Sequence, residues 1–188
     1  MRTLALLVFL LGTTLLAAQK IESFSVAVMN ESIAFPFTRY IPVHPGIEFG
    51  ATFWNKEKEH SNRYLSAYAG GFYHEKVETG FYLRAEYLFA FEIVNGLYVD
   101  VPLGAGYLHT VYPAELYEQN PETGAFEEVS QFGRPHGLVT AGVGVRYTGA
   151  TRVQPFIRQE LAVETPFANG FPVIPHTFLK LGVNVKIK

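Results

Sequence analysis

The sequence predicts an all-β chain, an eight-stranded antiparallel up-and-down β-barrel of the transmembrane kind. Apolar residues recur with a period of two in segment after segment. Aromatics make up 15% and Gly 17 of 188 residues. Beyond the first eighteen positions no apolar run approaches the roughly 20 residues that a spanning helix needs. A barrel strand need be apolar on one face only, so many aromatics and glycines without a long apolar run are what a membrane barrel leaves in its sequence.

The chain opens on a segment with the marks of a secretory signal. Arg2 gives a positive start, Leu4 to Leu16 an apolar run, and Ala17-Ala18 small residues before Gln19. The run is too short to be a membrane span. The expected organisation is a signal peptide over 1–18 and a single outer-membrane barrel domain over 19–188. Of 15 Lys and Arg, 14 remain once Arg2 is set aside, against 17 Asp and Glu, so the mature chain is mildly acidic. No nucleic-acid partner is expected, because that needs a clustered basic surface. The absence of Cys excludes disulfides and a lipidated N-terminal cysteine.

The strands follow in order. Phe24, Val26 and Val28 alternate with Ser23, Ser25 and Ala27, and Ile47, Phe49, Ala51 and Phe53 with Glu48, Gly50 and Thr52. Arg63 to His74 is the least regular strand, with small and aromatic residues on both faces. Phe81 to Ile93 is the clearest: its odd positions are all apolar, and Arg84, Glu86 and Glu92 share the other face. A helix would scatter those charges around its turns. Asn95-Gly96 is a tight hairpin signal leading into Leu97 to Tyr112, where Asp100 and Gly104 oppose Val99, Val101 and Leu103. Gly137 to Tyr147, Val153 to Thr165 and Thr177 to Ile187 alternate in the same way, although Gln159 interrupts an otherwise apolar face.

An even strand number puts both termini on one side, the periplasmic one in bacterial barrels. Connections should then alternate between short and long. Asn95-Gly96 and Thr148 to Thr151 are short; Phe35 to Pro45, Val111 to Pro135 and Pro166 to Pro175 are long. Asn55 to Asn62 is long for a periplasmic turn, and Glu75 to Glu78 is short for an outer loop. Aromatics near strand ends, among them Trp54, Tyr73, Tyr107 and Tyr147, suit the interfacial girdles of such barrels.

If the apolar face meets lipid, the other face fills the barrel, which at eight strands is only wide enough for its own side chains. A lumenal charge network is expected from Glu48, Arg84, Glu86, Asp100, Arg146, Arg158, Glu160 and Lys180, with Glu92, Glu164 and Lys186 on the same face. Charges of both signs in so narrow a space must pair. A general porin is therefore not expected.

His44, His74, His109, His136 and His176 all fall at the predicted outer side, and His60 at the periplasmic side. By strand parity His136, Glu164 and His176 point inward at the mouth, with His74 beside them, whereas His109 has lipid-facing parity next to inward Thr110. Two imidazoles and a carboxylate offer chemistry for a metal or for general-base catalysis on a lipid ester. No motif calls for a cofactor or a metal: there is no Gly-x-Ser-x-Gly elbow, no His-Glu-x-x-His and no phosphate loop. His60-Ser61-Asn62 lacks the spacing of a His-x-Ser pair on one strand face.

The succession Gly104-Ala105-Gly106-Tyr107-Leu108-His109-Thr110, the Pro166-Phe167-Ala168 corner and the closing Pro175-His176-Thr177-Phe178-Leu179-Lys180-Leu181-Gly182-Val183 resemble small outer-membrane barrel proteins of Bacteroidota. The resemblance covers most of the mature chain and implies a barrel, with no catalytic residues to carry over. One departure is the closing Ile187-Lys188, where many outer-membrane barrels end in an aromatic residue.

The expected function is that of a small integral outer-membrane barrel with a filled lumen, structural or accessory, displaying loops. Its expected partners are outer-membrane lipid and a larger outer-membrane complex. One alternative is a lipid-modifying hydrolase like the lipid A deacylases, using the mouth residues. A second is a soluble exported ligand-binding barrel with the two faces inverted.

Overall fold

Alternating side chains become a barrel here because each strand has one face that can meet an apolar surround and one that carries its polar groups. The computed structural model describes residues 20–33, 40–75, 77–112, 116–119, 124–129, 132–149, 152–167 and 172–187. The expected signal peptide lies outside them. Eight strands, β1 (Ser23–Ser32), β2 (His44–Lys58), β3 (Ser61–Tyr73), β4 (Thr79–Val94), β5 (Leu97–Val111), β8 (Arg134–Tyr147), β9 (Val153–Thr165) and β10 (Ile174–Lys186), form the wall. Each pairs antiparallel with its neighbours in sequence, and β1 closes on β10, so no edge is left open. Between β5 and β8 the chain forms a separate hairpin, β6 (Leu116–Gln119) with β7 (Phe126–Val129).

Strand direction sorts the connections. At the end shared by the termini, β2–β3 and β4–β5 are joined by two residues each, Glu59-His60 and Asn95-Gly96, and β8–β9 by residues 148–152. The connections that follow β1, β3, β5 and β9 leave the wall at the other end. The turn expected over Asn55 to Asn62 is corrected: pairing of Lys58 with Ser61 carries both strands almost to its tip. Gly96 takes a positive φ of 80° in its turn, and a register shift between Glu92 and Val94 bulges the strand before it. Half-buried at this end of the barrel, Glu92 lies just before the bulge, and its Oε1 accepts from the Gly96 N–H at 3.0 Å.

Outward residues form an apolar belt. Leu83 is 61% exposed and Arg84 2%, a contrast between adjacent residues that only a strand with one apolar surround makes sense of. Phe24, Val28, Phe49, Phe81, Leu103, Val139, Val143 and Leu181 are exposed on the same surface. The inverted, soluble alternative is thereby overturned, since the charges are inside and the apolar residues outside. Outward Gln159, anomalous in the sequence, accepts a hydrogen bond from the Tyr40 hydroxyl at 2.8 Å.

Inside, glycine makes room for large side chains. A Cβ at Gly50 would lie 2.4 Å from the Tyr68 ring, and one at Gly106 would lie 2.2 Å from the Leu83 carbonyl oxygen. Successive inward residues then build three layers: on β10, His176, Phe178 and Lys180; on β9, Glu164, Ala162 and Glu160; on β8, His136, Leu138 and Thr140. The middle layer is an apolar cluster of Met29, Phe72, Tyr82, Leu108, Leu138, Ala162 and Phe178. It separates the charge network below from the mouth.

Candidate functional site

The lower layer holds the eight expected lumenal residues, all buried. Arg84 reaches Glu48 at 2.9 Å, Glu86 at 3.1 Å and Glu160 at 3.0 Å, and Lys180 reaches Glu48 and Glu160 at 2.8 Å each. Arg158 pairs with Glu86 at 3.1 Å and Asp100 at 3.3 Å, and Arg146 with Asp100 at 3.0 Å. Four acids therefore meet four bases with no charge left over, as burial in a narrow lumen demands. The Tyr82 hydroxyl donates to Glu48 at 2.6 Å, tying the apolar layer to the network. Lys186 is not part of it: half-exposed at the barrel's end, it lies 3.8 Å from Glu57.

Above the apolar layer the composition changes to imidazoles and carboxylates. His176 is fully buried. Its Nδ1 lies 2.9 Å from Glu31 Oε1, and its Nε2 lies 3.1 Å from Glu164 Oε2 and 3.6 Å from Glu78 Oε1. His136 Nδ1 lies 2.6 Å from the Pro166 carbonyl and 2.9 Å from Glu164 Oε1, while its Nε2 lies 2.9 Å from Thr110 Oγ1. The Nδ1–H donates to the Pro166 carbonyl, with Glu164 Oε1 alongside, which leaves Nε2 to accept from the Thr110 hydroxyl. At the margin the His44 and His74 rings meet with centroids 3.6 Å apart and planes tilted by 33°, and His44 Nδ1 is 3.6 Å from Glu31 Oε2.

Electrostatics follow from this crowding. Burial, reinforced by the Glu164 carboxylate, pushes Glu78 up to about 8 against the pull of His176. Burial lowers His74, with Glu31 opposing.

Of the four mouth residues expected from parity, the structure brings His136, Glu164 and His176 into direct contact and sets His74 beside them against His44. Sequence reasoning did not name Glu31 or Glu78, and it placed His44 at the outer side and Thr110 inward without adding either to the cluster. Glu31 was within reach of the same reasoning, being the next inward residue after Ala27 and Met29 on β1. Glu78 was not, because it precedes β4 in a connection where parity has no meaning. His109 faces outward as expected, held between the Tyr107 hydroxyl at 2.9 Å and the Phe132 carbonyl at 2.8 Å. His60 sits in the β2–β3 turn at the opposite end of the barrel from the mouth.

No protein-family model matches the sequence, and no curated protein does. Solved structures do match in fold. Neisserial surface protein A aligns with a TM-score of 0.57 at 11% identity, covering 89% of this chain and 96% of that one. The outer membrane enzyme PagL aligns at 0.49 and 11% identity, over 88% and 99%. The N-terminal β-barrel domain of Pseudomonas aeruginosa OprF aligns at 0.42 and 16%, also over 88% and 99%. Identities this low speak to architecture alone, and only the first likeness is close enough to weigh. The chain has the fold of the small eight-stranded outer-membrane barrels.

Proposed function

We propose that this protein is an integral outer-membrane barrel that works at its extracellular end, as a structural or interaction component and not as a conduit. The observation that carries this reading is the sealed lumen: a charge-balanced network and an apolar layer stacked across a barrel of eight strands. With the interior closed, what the barrel offers its surroundings is its apolar belt, the mouth and the β6–β7 hairpin, at whose margin Phe126 and Phe132 are exposed. The belt and the fold support an outer-membrane location, reached after removal of residues 1–18, and the quoted strand and turn segments support kinship with the Bacteroidota barrels. The partner is a larger outer-membrane complex docked on the hairpin. Mild detergent extraction from the native membrane tests this. A larger assembly that collapses to the lone barrel when 116–129 is deleted is expected, and a strictly monomeric species would overturn it.

A second reading, lipid-ester hydrolysis, is favoured by one observation, the Thr110–His136–Glu164 relay. A hydroxyl within hydrogen-bond reach of an imidazole whose other nitrogen is held by an acceptor, here the Pro166 carbonyl with the Glu164 carboxylate alongside, is an arrangement that can activate a nucleophile. The His would take the hydroxyl proton as Oγ1 attacks an ester carbonyl, and return it to the leaving alcohol. Mass spectrometry of lipid A from cells expressing the wild type and Thr110→Val decides it: an acyl chain lost only with the wild type supports the relay, and unchanged spectra in several hosts sink it.

A further inference from the structure

We propose that Glu78, Glu164 and His176 form a site for one divalent first-row transition ion, of the borderline class that accepts both imidazole and carboxylate. Donor spacing is the first ground. One ligating atom from each residue lies within 4.8 Å of the others, with His176 Nε2 at 3.1 Å from Glu164 Oε2 and 3.6 Å from Glu78 Oε1. Bonds of about 2.0–2.2 Å at tetrahedral angles place two donors about 3.3–3.6 Å apart.

The second ground is independent of spacing. Glu78 is fully buried, and neither of its carboxylate oxygens has a hydrogen-bond partner. Its ion-pair contact with His176 Nε2, at 3.6 Å, is too long for a hydrogen bond, and a buried carboxylate so weakly held is costly; such groups are ordinarily paired or bound to metal. Charge balance agrees. Below the apolar layer four acids meet four bases, whereas at the mouth the fully buried Glu31, Glu78 and Glu164 form ion pairs with histidines and with no Lys or Arg among the described residues. A divalent ion would give these carboxylates a cation in common, as the Arg and Lys side chains below the apolar layer do for theirs.

The outer contacts are those of a ligand set held in place. Glu31 Oε1, 2.9 Å from His176 Nδ1, accepts that N–H and aims Nε2 at the two carboxylates. His136 Nδ1, held by the Pro166 carbonyl at 2.6 Å, lies 2.9 Å from Glu164 Oε1, the oxygen of that group that does not bind the ion. Carboxylate–histidine bracing of this kind fixes tautomer and ring orientation in metal sites.

The test uses the full chain folded in detergent micelles, stripped with a chelator and titrated calorimetrically with Zn²⁺ alone and, in parallel, Mn²⁺ alone. One equivalent is expected to bind and to raise the thermal unfolding midpoint. Glu31→Gln should weaken binding about 10–100-fold, Glu78→Gln more than that, and His60→Gln not at all. Absence of saturable binding by the wild type would overturn the site. So would a Glu78→Gln protein that binds like the wild type, or loss of binding with His44→Asn and His74→Asn alone, which would move the ion to the margin. Should Glu78→Gln fail to fold, the wild-type ring decides: metal must displace the proton from His176 Nε2 and leave Nδ1 protonated, and a ring keeping both protons overturns the assignment.

Discussion

Asp100→Asn is the sharpest perturbation of the lumen, because one carboxylate there serves two guanidinium groups. Arg146 approaches it with Nε at 3.0 Å from Oδ2 and Nη2 at 3.1 Å from Oδ1, and Arg158 Nη2 lies 3.3 Å from Oδ2. The substitution keeps the volume and one carbonyl acceptor but removes the charge. Hydrogen bonds to charged groups contribute about 1.5–3 kcal/mol each, and leaving a buried charge without its partner costs about 3–5 kcal/mol. Arg158 retains Glu86 at 3.1 Å. Arg146 keeps Gln154 at 3.2 Å and its contacts with Tyr64 and Tyr98 but no carboxylate among the described residues, so the loss should fall mainly on it, at about 3–5 kcal/mol. Denaturant unfolding in micelles, followed by the fluorescence of the single Trp54, measures this. The double variant Asp100→Asn/Arg146→Met should recover much of the loss, because a buried pair replaced by apolar volume is often nearly neutral. A cost below about 1 kcal/mol for Asp100→Asn, the range of exposed pairs, would mean that water reaches the network, and would refute the sealed lumen.

Orientation is tested at adjacent residues: Leu83→Arg should cost about 2–4 kcal/mol if it lies near the midplane. Thiol probes at 83 should be quenched by lipid-soluble reagents and those at 84 spared, and the reverse would turn the barrel inside out. Gly106→Ala should be destabilising by about 1–3 kcal/mol, since its Cβ would meet the Leu83 carbonyl and the Arg84 Cα at 2.2 and 2.6 Å; an unfolding midpoint equal to the wild type's would show that the wall yields there. Phe178→Ala should cost about 3–5 kcal/mol by opening a cavity in the apolar layer, and a loss under 1 kcal/mol would mean that the layer is loosely packed.

What the sequence could say tracks where a period of two governs the chain. Leu83 and Arg84 alternate in the sequence and face opposite ways in the wall; Lys180, Glu160 and Glu48 share inward parity on three strands and converge on one another. Parity fails where a strand slips or stops. Glu92 and Lys186 both have inward parity, yet they lie at the barrel's open end, where Glu92 binds the Gly96 N–H of the turn and Lys186 lies near Glu57 instead of joining the network. The division of the lumen into layers was not legible either. Met29, Phe72, Leu108 and Phe178 come from strands far apart in sequence, and strand stagger alone decides that they meet at one height. The mouth was half legible: His136, Glu164 and His176 sit at strand ends, where parity still holds, but Glu78 enters from a connection and Thr110 passes in the sequence for an ordinary small inward residue.

Conductance of the purified protein in a planar lipid bilayer tests the central claim most directly. A lumen closed by the Asp100–Arg146 and Glu48–Arg84–Lys180 contacts and capped by the apolar layer should pass no ions, so insertion should leave the membrane at its baseline leak under either polarity. Stable, reproducible current steps from the wild-type protein would contradict the account, for they would require a water-filled path where these side chains are packed.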